Sequence, residues 1–142
     1  MPASANTLEV GSELPPLKKT ISQRQIDCYS GVRPKSIHTD VEWAQQKGFP
    51  APLAQALMST AYVSQMMVLW LGTGFVKGGK ISASFIKPVI VGDTLTARAV
   101  IKSTEDVGGR PHVTVECWCE NQDGVKTLVG SASGFADNLR VN

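Results

Sequence analysis

An uncharged stretch from residue 48 to residue 76 constrains the fold of this chain of 142 residues more than any other feature. Residues 51–71, at its centre, are rich in Ala, Leu, Met and Val, which is typical of a helix that is hydrophobic nearly all round and lies buried. A membrane-spanning helix is the alternative. Polar residues interrupt the stretch, however, and no strong basic cluster flanks it. We therefore predict one long helix, which starts near residues 50–52 and ends at Gly72 and Gly74, in the centre of a globular domain without a membrane span.

After this helix the apolar residues recur at every second position, which is the periodicity of β-strands. The pattern predicts four strands, at residues 81–85, 95–101, 113–119 and 127–135. A short fifth strand is predicted at residues 17–21. Gly-Gly at residues 108–109 and Asp-Gly at residues 123–124 are turn signals, which predict that the last three strands are antiparallel neighbours.

Two short helices are predicted before the long one. Ser22 can cap a helix that runs through residue 29, and Thr39 with Glu42 has the form of a capping box that opens a helix through Gln46. Because strands outnumber helices, the expected class is α+β, with an antiparallel sheet wrapped around one long central helix. Such a sheet leaves an edge strand unpaired, so we expect a homodimer or a dimer of dimers.

Composition limits the partners and the compartment. The formal net charge is only +2, and the basic residues form no stripe interleaved with aromatic residues, so nucleic acid is not an expected partner. Residues 1–13 lack the features of a signal peptide, so we expect a flexible segment ahead of a single domain at residues 14–142, in a cytoplasmic protein. The three cysteines are expected as small buried hydrophobic residues in a reducing compartment. No metal site and no cofactor are predicted, because no Cys or His spacing is of the ligand type.

One of the two histidines lies close in the sequence to two predicted helix starts. His38 lies just ahead of the second short helix, and Ala56 lies at the head of the long one. The first turn of a helix carries backbone N–H groups that have no partner inside the helix and can bind an oxyanion. Because histidine is the most frequent general base, this pairing indicates an acid/base enzyme that acts on a small molecule.

Three segments carry a resemblance to a known family: residues 37–40 (IHTD), residues 52–57 (PLAQAL) and residues 84–95 (SFIKPVIVGDTL). Together with the order of elements, they resemble the MaoC-like branch of the hot-dog fold, which includes (R)-specific enoyl-CoA hydratases and related dehydratases. The resemblance covers roughly residues 14–135. It implies a hydro-lyase that adds or removes water on an acyl thioester, such as a coenzyme A thioester, or on another activated carbonyl compound.

The resemblance also implies roles for two residues and shows two departures. It implies His38 as the main base and the backbone N–H of Ala56 as the group that polarises the carbonyl. Hydratases of the family usually read Asp-x-Asn-Pro-(Ile/Leu)-His, whereas residues 33–38 read RPKSIH, so Arg33 stands where the dyad aspartate is expected. In the second departure, Gln55 and Ala56 replace the common His-Gly pair.

Five further residues are candidates for binding the substrate. The forked guanidinium of Arg33 is suited to a carboxylate or a phosphate. Tyr29 and Ser36 are placed to orient a water or a substrate hydroxyl, and Ser64 matches a position where relatives carry a serine near the pocket. The candidate substrate-binding residues are therefore Arg33, Ser36, Tyr29, Gln55 and Ser64.

Two alternatives to a hydratase stay open. A binding or regulatory hot-dog subunit that keeps only the pocket would also lack the dyad carboxylate. A thioesterase is the other alternative, because other hot-dog branches hydrolyse acyl thioesters. Those enzymes usually place Glu or Asp on the long helix, and this chain has neither between Glu42 and Asp93.

Overall fold

The computed structural model describes residues 8–137 and residue 139, and its architecture is α+β. The elements follow in the order β1 (Leu17–Thr20), α1 (Gln23–Ser30), α2 (Val41–Gln46), α3 (Ala56–Leu71), α4 (Thr73–Gly78), β2 (Lys80–Phe85), β3 (Thr94–Val107), β4 (Arg110–Glu120) and β5 (Lys126–Phe135). All strands belong to one sheet, which packs against the long helix α3. The predicted fold class is therefore confirmed.

The sheet has the strand order β1-β3-β4-β5-β2, and every neighbouring pair is antiparallel. Gly108 and Gly109 both have positive φ angles, of 60° and 81°, in the tight turn between β3 and β4. Glycine accepts these angles without steric strain, which is why the Gly-Gly pair marks this turn. The prediction that the last three strands are antiparallel neighbours is confirmed, and β1 and β2 lie at the two ends of the sheet.

The core lies between α3 and one face of the sheet. Met58, Val63 and Met67 are buried on the inner side of α3. Cys117 and Cys119 point from β4 into the same core, as their two-residue spacing predicts. Cys28 on α1 is exposed, so the prediction of a buried residue is wrong there. Burial raises the pKa of the Cys117 thiol to about 11 and that of Cys119 to about 12, so both stay protonated near neutral pH and pack as small apolar groups.

The start and the surroundings of the long helix differ from the prediction. α3 begins at Ala56, because Leu53 forms an antiparallel bridge with Ile90 and the N–H of Ala54 donates to the carbonyl of Val89 at 2.9 Å. Residues 51–55 are thus held in an extended strap. The prediction of a helix buried nearly all round is also wrong for the single chain, in which Leu57 is 60% exposed.

Two local predictions about helix ends are wrong. Asp40, not Thr39, caps α2, since its carboxylate accepts a hydrogen bond from the N–H of Trp43. The Thr39 hydroxyl instead bonds to both backbone groups of Arg33. Gly72 ends α3 as expected, but Gly74 lies inside α4, a helix that we did not predict.

The residues before β1 lie along β3. The N–H of Gly11 donates to the carbonyl of Ile101 at 2.8 Å, and the N–H of Leu14 donates to that of Ala99 at 2.9 Å. The domain boundary at residue 14 stays a prediction. Residues 1–7 of the predicted flexible segment, and residues 138 and 140–142 at the other end, lie outside the described residues. Within the described ranges, no helix is long and apolar enough to cross a membrane.

Candidate active site

The loop between α1 and α2 carries His38, whose half-buried ring is fixed by the strap before α3. Its Nδ1 lies 2.8 Å from the carbonyl oxygen of Leu53. A carbonyl oxygen only accepts hydrogen bonds, so in the neutral ring Nδ1 carries the proton and Nε2 keeps its lone pair. In this tautomer Nε2 can accept a proton, as a general base must.

Hydrogen bonds also fix the backbone on both sides of His38. The Gln23 side chain on α1 donates to the His38 carbonyl at 2.9 Å, and the His38 N–H donates to the hydroxyl of Ser36 at 3.2 Å. The N–H of Leu53 donates to the carbonyl of Ile37 at 3.0 Å. The histidine is therefore clamped between α1 and the strap that leads into α3.

The Asp40 carboxylate holds the same loop from its other end. It accepts hydrogen bonds from the N–H of Trp43 at 3.0 Å and from the N–H of Lys35 at 2.9 Å. Lys35 has a φ of 55°, in the left-handed region that a lysine rarely adopts, so this second bond stabilises an unfavourable backbone. The two backbone N–H groups hold the pKa of the Asp40 carboxyl below its ordinary value of 3.8.

We expect Asp40→Asn to lower the melting temperature near neutral pH by a few degrees while turnover stays close to that of the unaltered protein. Because the pKa of Asp40 is lowered by folding, its stabilising effect is present above 3.8 and is lost as the pH falls through the lowered pKa. The difference in melting temperature between the two proteins should therefore shrink in acid. A folded Asp40→Asn protein whose rate falls about a hundredfold would instead place this carboxylate in the chemistry.

A cavity of about 340 Å³ opens between the His38 loop, the start of α3 and the segment that follows β2. Most of its lining is apolar. The polar side chains in the lining are those of His38, Ser59, Lys87 and Thr127, and the described lining residues include no carboxylate. Ala56 also lines the cavity, and no side chain of the described residues caps the N-terminus of α3. A base and a helix N-terminus thus share one largely apolar pocket.

The predicted catalytic residues His38 and Ala56 line this cavity. Two of the predicted binding residues, Gln55 and Ser36, lie outside its described lining and bond to other parts of the protein. The amide of Gln55 donates to the carbonyl of Ile26 at 3.2 Å and to the hydroxyl of Ser30 at 2.6 Å, which ties α1 to the start of α3. The Ser36 hydroxyl accepts the hydrogen bond from the N–H of His38 described above.

The other three predicted binding residues also lie outside the described lining, so it includes none of the five. Arg33 and Tyr29 are exposed, and Ser64 is half-buried on α3. Asp27, which we do not expect to replace the dyad aspartate, accepts a hydrogen bond from the Gln23 side chain at 2.9 Å and lies outside the described lining too. The binding roles of all five predicted residues stay predictions.

Sequence reasoning missed Ser59, Lys87 and Thr127 as lining residues. Ser59 follows Ala56 by three positions, and this helical spacing places both residues on one face of α3. That signal was available in the sequence. Lys87 and Thr127 lie together because the N–H of Lys87 donates to the carbonyl of Thr127 at 3.3 Å. The two residues are far apart in the sequence, so no local sequence pattern predicts this contact.

An antiparallel sheet packed against one long helix is the architecture of the hot-dog class of α+β domains. Within that class the chain belongs to the MaoC-like family, since the sequence profile of the MaoC like domain matches residues 7–122. Comparison with curated proteins gives no match.

Solved structures of similar fold include two hydratases and a dehydratase complex. An (R)-hydratase from A. caviae involved in PHA biosynthesis has a TM-score of 0.74 at 24% identity, over 88% of this chain and 94% of that one. An R-hydratase from Pseudomonas aeruginosa has a TM-score of 0.75 at 22% identity, over 93% and 83%. The (3R)-hydroxyacyl-ACP dehydratase complex of Mycobacterium tuberculosis has a TM-score of 0.68 at 21% identity, over 89% and 96%. At these identities the similarity shows the fold.

Proposed function

We propose that this protein is a MaoC-like hydratase or dehydratase that adds or removes water on an acyl thioester or a related activated carbonyl compound. One observation carries the proposal: His38 lines the same cavity as Ala56, and the hydrogen bond from its Nδ1 to the Leu53 carbonyl leaves the lone pair on Nε2. Membership of the MaoC-like family supports it.

In the proposed hydration, His38 is the only protein base. Its Nε2 accepts a proton from water while the water oxygen bonds to the β-carbon of the enoyl group. The electrons of the double bond move to the carbonyl oxygen, where the backbone N–H of Ala56 stabilises the negative charge. The imidazolium then returns its proton to the α-carbon, so one water is added in total. Dehydration follows the same steps in reverse.

The cavity is suited to a small acyl group. Its volume of about 340 Å³ and its apolar lining would accept a short hydrocarbon chain. Lys87 is exposed where it lines the cavity and provides a positive charge for an anionic part of the substrate, such as a coenzyme A phosphate. Arg33, on the exposed side of the His38 loop, is proposed as a second cation for an acidic group of the substrate.

The proposal is tested by incubating the purified protein with a short trans-2-enoyl coenzyme A. We expect the absorbance of the conjugated double bond to fall and the product to gain the mass of one water. A thiol reagent run in parallel detects free coenzyme A. Release of thiol without hydration would instead identify a thioesterase.

A binding or regulatory subunit is the second candidate, and the absence of a carboxylate from the described lining favours it. A missing acid/base partner typically costs a rate factor of about 10² to 10⁴. If the protein binds the thioester but neither hydrates nor hydrolyses it, the subunit is the correct assignment. The similarity to one chain of a dehydratase complex makes a second, catalytic chain a reasonable partner in that case.

We also propose a homodimer or a dimer of dimers. Among the described residues β2 pairs with β5 alone and leaves its other edge open, and Leu57, Leu69 and Val76 expose 60%, 72% and 68% of their surface on α3 and α4. An open strand edge and exposed large apolar side chains are both features that a second copy can cover. We expect light scattering at micromolar concentration to give twice or four times the chain mass, and a monomer would contradict the proposal. The cytoplasmic location stays a prediction from the sequence.

A further inference from the structure

Ser59 presents an unused hydroxyl inside the cavity. The residue is 4% exposed and lines the cavity, and the hydrogen bond found at Ser59 among the described residues uses its backbone carbonyl, which accepts from the Cys119 thiol, and not its hydroxyl. Its Oγ is not among the fully buried side-chain atoms that lack a partner in the described residues, so the hydroxyl is open to the cavity. A hydrogen-bond acceptor on a bound molecule can therefore reach it.

The helix geometry directs this hydroxyl toward the N–H of Ala56. The two residues are three positions apart on α3, so they share one face of the helix. In a helix each Cα–Cβ bond tilts toward the N-terminus, which is also the direction in which the free N–H groups of the first turn point. The Ser59 hydroxyl and the Ala56 N–H therefore approach the same region of the cavity.

The other polar side chains in the lining are less suited to donate a hydrogen bond there. The Thr127 hydroxyl donates its proton to the carbonyl of Cys119 at 3.3 Å. Nε2 of the neutral His38 ring is an acceptor. Lys87 is an exposed residue on a long, flexible side chain. Ser59 is the buried side chain of the described lining whose proton has no protein acceptor.

We propose that Ser59 donates a hydrogen bond from Oγ to the carbonyl oxygen of the bound thioester and, with the N–H of Ala56, forms a two-donor oxyanion site. Ser59 keeps its proton throughout, so the proton balance of the hydration is unchanged. The inference rests on the proposed function, since it requires a thioester in the cavity. It adds to that function a side-chain donor that stabilises the negative charge of the transition state.

The kinetic test compares Ser59→Ala with a matched removal of a hydroxyl at the next residue. We expect Ser59→Ala to lower kcat about a hundredfold with little change in KM, because the lost bond is strongest in the transition state. Ser59→Thr should restore part of the rate. Thr60→Val is the control: Thr60 Oγ1 is buried without a partner among the described residues and lies outside the lining, so kcat should not change.

A spectroscopic test separates this inference from the proposed function. Butyryl coenzyme A is saturated and cannot be hydrated, and hydrogen bonds to its thioester carbonyl lower the carbonyl stretching frequency in infrared difference spectra. We expect a lowered frequency in the unaltered protein that returns toward the solution value in Ser59→Ala. If enoyl thioesters are not hydrated but this shift occurs, the proposed function fails and the inference stands. If hydration occurs and Ser59→Ala alters neither kcat nor the frequency, the inference is overturned alone. Failure of the thioester to bind overturns both.

Discussion

His38→Ala is expected to abolish measurable hydration of enoyl thioesters, with a fall in kcat of about 10² to 10⁴ or more. The substitution removes Nε2, which is the proposed acceptor of the water proton, and no carboxylate in the described lining can take its place. The steady-state rate with a short enoyl coenzyme A measures the effect. The melting temperature is measured alongside it, because the ring also bonds to the Leu53 carbonyl.

His112→Gln is the matched control for removal of a histidine. His112 lies on β4, where its ring packs edge-on against Phe135 at 4.9 Å between centroids, and it is not part of the cavity. We expect this variant to keep its rate. If His38→Ala keeps the rate as well, the proposed base is wrong, and hydration, where it occurs, must use a different group.

The sheet and the long helix were predictable because their burial follows local periodicity. Along much of β3, β4 and β5, side chains point alternately into the core and away from it, so apolar residues recur at every second position of the sequence. The start of α3 was not predictable in this way. Pro52 and Leu53 are residue types that occur at helix starts, so the sequence predicts a helix from this point. In the structure Leu53 instead forms a bridge with Ile90, which lies far away in the chain. A tertiary contact thus sets where the helix begins.

The candidate site was predictable in part for the same reason. His38 was predicted from its place ahead of a helix start and from the family resemblance, but the acceptor that fixes its tautomer is the backbone carbonyl of Leu53, which no sequence motif specifies. The identity of the helix cap depends on the loop conformation. Thr39 and Asp40 are both good capping residues, and the left-handed backbone of Lys35 brings its N–H to Asp40. The sequence therefore identifies the residues that can cap the helix, and the conformation of the loop decides which of them does so.

A second large effect is expected at Gly74, where helix propensity and packing predict opposite signs. Replacing a glycine inside a helix by alanine ordinarily stabilises a protein by about 1 kcal/mol. A Cβ at Gly74 would lie 1.9 Å from the carbonyl oxygen of Phe135 on β5 and 2.9 Å from its carbonyl carbon. Both atoms belong to the backbone of a paired strand, so the clash cannot be relieved by turning a side chain.

We therefore expect Gly74→Ala to destabilise the protein by about 3 kcal/mol or more, because α4 must move away from β5 to admit one methyl group. Thr73→Ala is the matched control, since Thr73 is exposed in the same helix and its replacement should leave the stability nearly unchanged. Urea denaturation followed by circular dichroism measures both variants. A Gly74→Ala protein as stable as the unaltered one would mean that α4 does not approach β5 this closely. Destabilisation confined to Gly74→Ala would show that the glycine is required for close packing, which outweighs its cost in helix propensity.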